Sequence, residues 1–302
     1  MPFWKKKPKR QTTAKPKINT ASPKEAPKQE SKPKPKPTPP PPRSKPEIPK
    51  KSATGKKEVK LDARKEFLRV FKQLTYRHRA WDIWRDFIIM FACSLSNPLD
   101  KSHYDEREKR YMKIIKKYNK KEQNLFPELA AHTVMALEEN PEQDFLGGIF
   151  MELNLGNDSN GQFFTPYHVC DLMAKIAMHE NVVREVNEKG YITISDSCCG
   201  AGATLIAGIH EARRQLEKEN LNYQNHVLVV AQDIDETVAL MCYIQLSLLG
   251  VAAYIKIGNT FTEPISPDDT TENYWFTPIY FSNVWATRRL VRKMDDLLKG
   301  EK

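Results

Sequence analysis

The sequence lacks cysteine pairs in the CxxC spacing of structural zinc sites. Its five cysteines are Cys93, Cys170, Cys198, Cys199 and Cys242, and this pattern predicts no metal site. We expect all five to remain thiols in a reducing cytoplasm, where we place the protein. Cys199 could be a nucleophile, but no Cys/His pairing pattern accompanies it.

The sequence also lacks a run of about 18 apolar residues, the length that a membrane-spanning helix requires. The start Met1-Pro-Phe-Trp4 is too short, and too basic afterwards, to be a secretory signal peptide. We therefore expect no transmembrane segment and no membrane partner.

Acidic residues are scarce in the first 60 residues, which hold 19 Lys and Arg against 4 Glu, a net charge of +15. The whole chain carries +10, so residues 61–302 carry about −5 and the basic character belongs to the tail. The tail also holds 14 of the 21 prolines, and its low apolar content predicts disorder, partly as polyproline II. It could be a solvated spacer, a basic arm for nucleic acid, or a proline-motif ligand.

Residues 61–156 are predicted to form a helical domain. Apolar and aromatic side chains recur at three- and four-residue steps from residue 61 to about residue 97, which predicts a helix that Asn97-Pro98 ends. Further helices are predicted over residues 104–118, 126–139 and 144–152. The aromatic stripe is most simply a core face, and base stacking is the alternative.

Residues 157–302 alternate between strand and helix patterns. Strands are predicted over residues 191–195, 226–232 and 253–257, and helices over residues 166–177, 204–218 and 236–249. This alternation predicts a parallel sheet with right-handed crossovers. Ligands of such sheets bind beyond the carboxyl ends of the strands.

The most informative segment is the glycine-rich turn Asp196-Ser-Cys-Cys-Gly-Ala-Gly-Ala203, between the first of these strands and its helix. Gly200 and Gly202 have no Cβ, so a ligand can approach the backbone closely. The helix start offers unpaired N–H groups to a carboxylate or phosphate. A strand, a glycine turn and a helix in this order predict a cofactor site.

Polar residues follow the next two strands as well. Asp233 follows the second strand, where a carboxylate suits a ribose diol. Asn259 follows the third, where an amide suits the edge of an adenine. For any one such residue the alternative is a helix N-cap, a role that fits Asp235.

Together these segments resemble adenine-specific (N6) DNA methyltransferases, and especially the modification subunits of type I restriction-modification systems. The glycine loop resembles that family's Asp-Pro-Ala-Cys-Gly-Ser-Gly motif, and Gly161-Gln-Phe-Phe-Thr-Pro166 resembles its Gly-Gln-Phe-Tyr-Thr-Pro motif. Ala231-Gln-Asp-Ile-Asp-Glu-Thr237 and Gly258-Asn-Thr260 are similar to its Gly-Gln-Glu and Gly-Asp-Thr segments. The resemblance covers residues 142–262 well and residues 61–141 loosely.

The resemblance implies an α/β fold: a class I methyltransferase (Rossmann-like) parallel sheet, expected to be truncated, preceded by a helical domain and a disordered tail. The domains would be residues 1–60, 61–156 and 157–302. The implied cofactor is S-adenosylmethionine, and the implied partners are DNA and a specificity or complementing methyltransferase subunit. The cofactor-binding residues carried over by position are Phe164, Thr165, Pro166, Asp196, Cys199, Gly200, Gly202, Asp233 and Asn259.

The family's catalytic motif, Asn/Asp-Pro-Pro-Tyr/Phe after a fourth strand, has no match, because no proline after residue 258 is doubled. The nearest substitute is Ser282-Asn-Val-Trp285, after a strand-like segment at residues 278–281. Asn283 and Trp285 are thus the candidate catalytic residues: Asn283 would accept a hydrogen bond from the target amine, and Trp285 would stack on a flipped base. The alternative is a core strand followed by a capped helix from Ala286.

We therefore expect an S-adenosylmethionine-dependent DNA adenine N6-methyltransferase-like protein that acts by positioning and electrostatics, without a covalent intermediate. One alternative is a catalytically incomplete module that binds cofactor and DNA, with the basic tail supplying DNA affinity. Another is one subunit of a split methyltransferase, whose partner would pair with an exposed sheet edge.

Overall fold

A computed structural model describes residues 62–155, 164–178 and 181–300. The predicted tail, residues 1–60, lies outside these ranges. So do residues 161–163 of the Gly-Gln-Phe-Phe-Thr-Pro segment and the domain boundary predicted near residue 156. The described residues lie within one compact unit.

The first part of this unit is helical. Its helices are α1 (Ala63–Leu74), α2 (Ala80–Ser96), α3 (Tyr104–Ile115), α4 (Lys120–Gln123), α5 (Leu125–Glu139) and α6 (Phe145–Glu152). The single helix predicted from residue 61 to residue 97 is wrong, because the chain leaves the helical conformation before Arg79, whose ψ is 138°. Phe67 and Phe87 nevertheless share a core, with ring centroids 5.6 Å apart.

The second part alternates helices and strands. Its elements are α7 (Tyr167–Ala177), α8 (Val182–Lys189), β1 (Ile192–Asp196), α9 (Ala203–Lys218), α10 (Tyr223–His226), β2 (Val227–Asp233), α11 (Glu236–Leu248), β3 (Ala252–Ile257), β4 (Tyr274–Phe276), a 3-10 helix (Pro278–Phe281) and α12 (Asn283–Gly300). The sequence pattern missed the short helices α4, α8 and α10.

The strands form one sheet in the order β1-β2-β3-β4. The predicted parallel pairing of β1, β2 and β3 is confirmed. β4 runs antiparallel to β3, so the described sheet is mixed rather than wholly parallel. The strand predicted at residues 278–281 is wrong: Pro278 begins a 3-10 helix there, since proline has no N–H for a strand ladder and suits the first turn of a helix.

The helical part and the sheet share one cluster of buried apolar side chains. Residues 237–246 of α11 are all buried, because α2 packs on this helix together with β3. A helix that is apolar on every side is typical of a core position. No helix among the described residues combines the length and apolar content needed to cross a membrane.

Candidate cofactor pocket

The loop between β1 and α9 is folded around the carboxylate of Asp196. One oxygen of Asp196 accepts a hydrogen bond from the backbone N–H of Cys198 at 3.0 Å. The other accepts the hydroxyl of Thr204 at 2.5 Å. The acid at the end of β1 therefore joins the beginning of the glycine loop to the first turn of α9.

The same loop is attached to the end of β2. The N–H of Cys199 donates to the carbonyl of Gln232 at 3.0 Å, and the N–H of Gly200 donates to Oδ2 of Asp233 at 2.8 Å. Oδ1 of Asp233 accepts the N–H of Asp235 at 3.0 Å. Burial raises the pKa of Asp233, although these backbone hydrogen bonds act in the opposite direction.

Both loop glycines are required by the backbone and by packing. Their φ angles are +52° at Gly200 and +96° at Gly202, a region that other residues enter at a cost. A Cβ at Gly200 would lie 3.1 Å from the ring of Phe164, and one at Gly202 would lie 2.8 Å from Sγ of Cys242. Glycine at both positions thus lets the loop take this shape without backbone strain, and at Gly202 also without a clash.

The loop forms one wall of a cavity of about 330 Å³, within the usual size range of small-molecule sites. Six of the predicted cofactor-binding residues line this cavity: Phe164, Thr165, Asp196, Cys199, Gly200 and Asp233. The structure therefore brings the predicted motifs at residue 164, at the end of β1 and at the end of β2 to one place.

Three predicted residues do not line the cavity. Pro166 is the residue that precedes α7, and Gly202 lies against Cys242. The side-chain oxygen of Asn259 accepts the N–H of Phe261 at 2.9 Å, which closes a turn after β3. A cofactor role for these three residues stays a prediction.

The two candidate catalytic residues lie elsewhere. Trp285 is 2% exposed, its Nε1–H donates to the carbonyl of Gln224 at 2.8 Å, and its ring contacts that of Tyr191. Tyr191 precedes the amino end of β1, whereas Asp196 ends that strand. Because five residues of strand span roughly 16 Å, Trp285 and its neighbour Asn283 lie at the opposite end of the sheet from the cavity.

Trp285 faces a separate and larger groove of about 830 Å³. The groove is lined by aromatic rings and by the basic face of α12. Burial and the hydrogen bond of Trp285 agree with the core interpretation of this segment. A catalytic role for Asn283 and Trp285 remains untested.

Sequence reasoning missed two residues that shape the cavity wall. Asp144 lines the cavity, and its Oδ1 accepts hydrogen bonds from Gly147 N–H and from Nε2 of Gln245, both at 2.8 Å. Gln245 is fully buried and also donates to the carbonyl of Ala201 at 2.9 Å. The signal that could have found this network is a single glutamine in the apolar run of α11, since a buried amide needs partners.

The charged residues that line the cavity are all carboxylates: Asp144, Asp196, Asp233 and Asp235. No Lys, Arg or His among the described residues lines it, and no group of three or more His, Cys, Asp or Glu in the described part is placed to hold a metal ion. A cavity with this charge favours a cationic ligand. Burial raises the pKa of Asp144 despite its two hydrogen bonds.

A glycine loop after β1, an acid after β2 and a cavity at the carboxyl ends of parallel strands define an α/β fold with a cavity at the place where such sheets bind ligands. Residues 149–297 match the family described as N-6 DNA Methylase. The match covers 149 of the 302 residues, and over this segment the chain is similar to that family.

One similar structure is the methyltransferase subunit of a type I restriction-modification system from Streptococcus thermophilus, at 19% sequence identity and a TM-score of 0.31. The match covers 57% of this chain and 32% of that subunit. The chain thus spans about a third of the length of that relative.

Proposed function

We propose that this chain binds S-adenosylmethionine in the cavity beside the glycine loop and takes part in methyl transfer to the N6 atom of adenine in DNA. The observation that carries the proposal is the acidic cavity at the glycine loop, in a segment of the N-6 DNA Methylase family. S-adenosylmethionine carries an ammonium and a sulfonium, and four carboxylates suit both cations. We keep a cytoplasmic location as a prediction.

The cavity fits such a cofactor in shape as well as in charge. The missing Cβ of Gly200 lets the ring of Phe164 pack closely against the loop backbone, and this ring forms part of the cavity wall. In this proposal Asp233 accepts the ribose hydroxyls, while Phe164 and Thr165 pack against the cofactor. The bound cofactor would supply a methyl group on a positively charged sulfur; the protein would contribute binding and orientation.

Calorimetric titration of the full chain with S-adenosylmethionine tests the binding step. We expect saturable binding of one cofactor per chain. Transfer is tested by incubating the protein with unmethylated DNA and methyl-labelled cofactor and then identifying the labelled nucleoside. Absence of binding by a folded sample would overturn the proposal; label on cytosine would overturn the adenine assignment.

The basic tail is proposed to supply part of the DNA affinity. Residues 1–60 have a net charge of +15, and lysines that neutralise phosphates release counterions. We expect DNA binding to weaken steeply with salt, and to weaken less steeply after deletion of residues 1–60. Equal salt slopes with and without the tail would assign DNA contact to the remaining residues.

One structural observation favours a second candidate, a split enzyme. In the described sheet β1 pairs with β2 alone, so no described strand covers its other edge, and Thr193 and Ser195 on it are exposed. Such an edge can accept a further strand. A complementing subunit that pairs here would complete the sheet beside the cofactor cavity.

The split-enzyme candidate makes a separate prediction. A complementing or specificity subunit should raise methyl transfer without changing the stoichiometry of cofactor binding. Replacing Thr193 by proline should abolish that stimulation, because proline cannot donate to a strand ladder. Full activity of the chain alone, unaffected by this substitution, would contradict the split-enzyme candidate.

A further inference from the structure

Asp144 reaches the cavity from outside the segment that matches the methylase family. It precedes α6, whereas the family match begins at residue 149. Its side chain nevertheless lines the same cavity as Asp196 and Asp233. Asp144 lies within the stretch 142–262 that resembles the family, but it precedes the matched residues 149–297 and belongs to none of the motifs quoted above.

The four cavity carboxylates differ in how fully the protein uses their oxygens. Each oxygen of Asp196 accepts a hydrogen bond, from Cys198 and from Thr204. Each oxygen of Asp233 also accepts one, from Gly200 and from Asp235. Oδ1 of Asp235 caps α11 by accepting the N–H groups of Thr237 and Val238, and Asp235 makes at least one further interaction.

Asp144 is used on one oxygen alone. Both of its hydrogen bonds, from Gly147 and Gln245, go to Oδ1, and no described residue donates to Oδ2. Oδ2 occupies the space where a Cβ on Gly147 would stand, 2.0 Å from that position. Glycine at residue 147 thus makes room for an acceptor to which no donor in the described ranges is bonded.

The position of this acceptor is rigid. Gln245 is fully buried and holds Asp144 with the same amide group that holds the carbonyl of Ala201 in the glycine loop. The carbonyl oxygen of that amide accepts the N–H of Leu146. A carboxylate fixed on one oxygen and open on the other is preorganised for a cationic donor.

We propose that Asp144 is the residue that holds the ammonium group of the methionine part of the cofactor. This inference rests on the proposed function, and it predicts which ligands depend on Asp144 for their affinity. Ligands with the free amine should gain affinity from Asp144, and adenosine derivatives without it should not. Because the ammonium is present before and after methyl transfer, S-adenosylmethionine and S-adenosylhomocysteine should depend on Asp144 equally.

The test compares Asp144→Asn with the unchanged full chain by calorimetry. Asparagine keeps an acceptor for Gly147 and Gln245 but offers a neutral amide to the cavity. We expect the affinities for S-adenosylmethionine and S-adenosylhomocysteine to fall about 10- to 100-fold, the range for a hydrogen bond between charged groups. Affinity for 5′-methylthioadenosine, which lacks the ammonium and the carboxylate of the methionine part, should not change.

Glu142→Gln is the matched control. It removes the same charge two residues away, from an exposed side chain that pairs with Arg214 outside the cavity. We expect this variant to bind all three ligands like the unchanged chain. An equal loss of affinity in Glu142→Gln would show that Asp144 acts through its charge at a distance and not through contact with the ammonium, which would overturn the inference.

The possible failures can be told apart. If the unchanged chain binds none of the three ligands, both the proposed function and this inference are wrong. If the unchanged chain binds S-adenosylmethionine and Asp144→Asn binds it as tightly, the inference alone is wrong. If Asp144→Asn also loses 5′-methylthioadenosine, Asp144 supports the shape of the cavity rather than the ammonium, which again overturns the inference.

Discussion

The guanidinium of Arg107 lies over the ring of Trp275, with its central carbon 3.8 Å from the ring centroid. Arg107 belongs to α3 and Trp275 to β4, so this contact joins the helical part of the chain to the edge of the sheet. The same guanidinium donates to Asp100 and to the carbonyl of Tyr274, both at 2.8 Å. Arg107 and Asp100 are both buried.

We expect Arg107→Ala to lower the free energy of unfolding by about 3–5 kcal/mol, because a buried carboxylate loses its charged partner. Arg69→Ala is the control, since Arg69 forms its ion pairs at the surface, where such pairs contribute little. Urea denaturation followed by circular dichroism measures both. Similar losses of unfolding free energy in the two variants would show that the buried contact stabilises the fold no more than a surface ion pair does.

The close packing of Gly202 against Cys242 predicts a coupled effect. Gly190 also has a positive φ, +82°, but its nearest neighbour, on Arg288, would be 3.9 Å from a Cβ. Gly190→Ala should thus cost only the left-handed backbone term, about 1–2 kcal/mol. Gly202→Ala should cost more, and the excess should shrink when Cys242→Ala is added.

Denaturation of the unchanged chain, of Gly202→Ala, of Cys242→Ala and of the double variant completes this double-mutant cycle and measures the excess. A cost of Gly202→Ala that is the same with and without Cys242 would mean that the backbone, and not the thiol, excludes a side chain.

The hydrogen bond from Gly200 to Asp233 refines the ribose prediction. Asp233→Ala should weaken cofactor binding by about 1.5–3 kcal/mol, as expected for hydrogen bonds to a charged group. It should also loosen the glycine loop, so a small loss of thermal stability should accompany it. Calorimetry would compare it with Asp268→Ala, at an exposed residue outside the cavity. An unchanged affinity in a folded Asp233→Ala protein would refute the ribose assignment.

Trp285 provides a test between core and catalytic interpretations. Removing a buried tryptophan side chain typically costs about 3–5 kcal/mol, so we expect Trp285→Ala to unfold at clearly lower urea concentration. Trp285→Phe keeps a ring against Tyr191 and loses only the hydrogen bond to Gln224; it should recover most of the stability. If Trp285→Ala were fully stable and had lost methyl transfer alone, the catalytic interpretation would be right.

Cofactor affinity should depend on pH through Asp144 and Asp233. Burial raises the pKa of each, so each loses its charge at a higher pH than a free aspartate would. A cation binds the ionised form, so affinity should fall as the pH is lowered through the raised pKa of each aspartate, and binding should release protons there. The thiol of Cys170, which Asp144 influences, stays neutral because burial raises its pKa.

Folding has the opposite dependence on the same two groups. An acid whose pKa is raised in the folded state contributes stability at low pH and loses it as the pH rises through the folded pKa.

Calorimetry in buffers of different ionisation enthalpy measures the proton release on cofactor binding. Asp144→Asn should release fewer protons; the same release would place the titrating group elsewhere.

The elements with strong local signals could be predicted from the sequence. The parallel strands and the glycine loop were predicted because β1 and β2 are apolar runs that end at polar residues and turns. β4 was missed because three residues are too few to show an alternating pattern. No local sequence signal marks its pairing with β3 either. The break at Arg79 was missed because the apolar spacing of α1 and α2 continues across the turn.

Of the residues that line the cavity, those within or next to the sequence motifs could be predicted. Asp233 and Phe164 were found from their positions beside strands and motifs, and both line the cavity. Asp144 was not predicted to line the cavity. An aspartate that precedes a helix is typical of an N-cap, and Asp144 does cap α6. Its second role depends on Gln245, which lies 101 residues away; local pattern cannot reveal such a pairing.

The burial of α11 beneath α2 affects how this protein could be divided or recombined. A protein engineered to begin at residue 149 would keep every residue of the family match. It would nevertheless expose the apolar surface of α11 to water and lose Asp144 from the cavity wall. A segment that keeps both this cavity and the burial of α11 must therefore include the helices before residue 149, so the structural unit is larger than the family match.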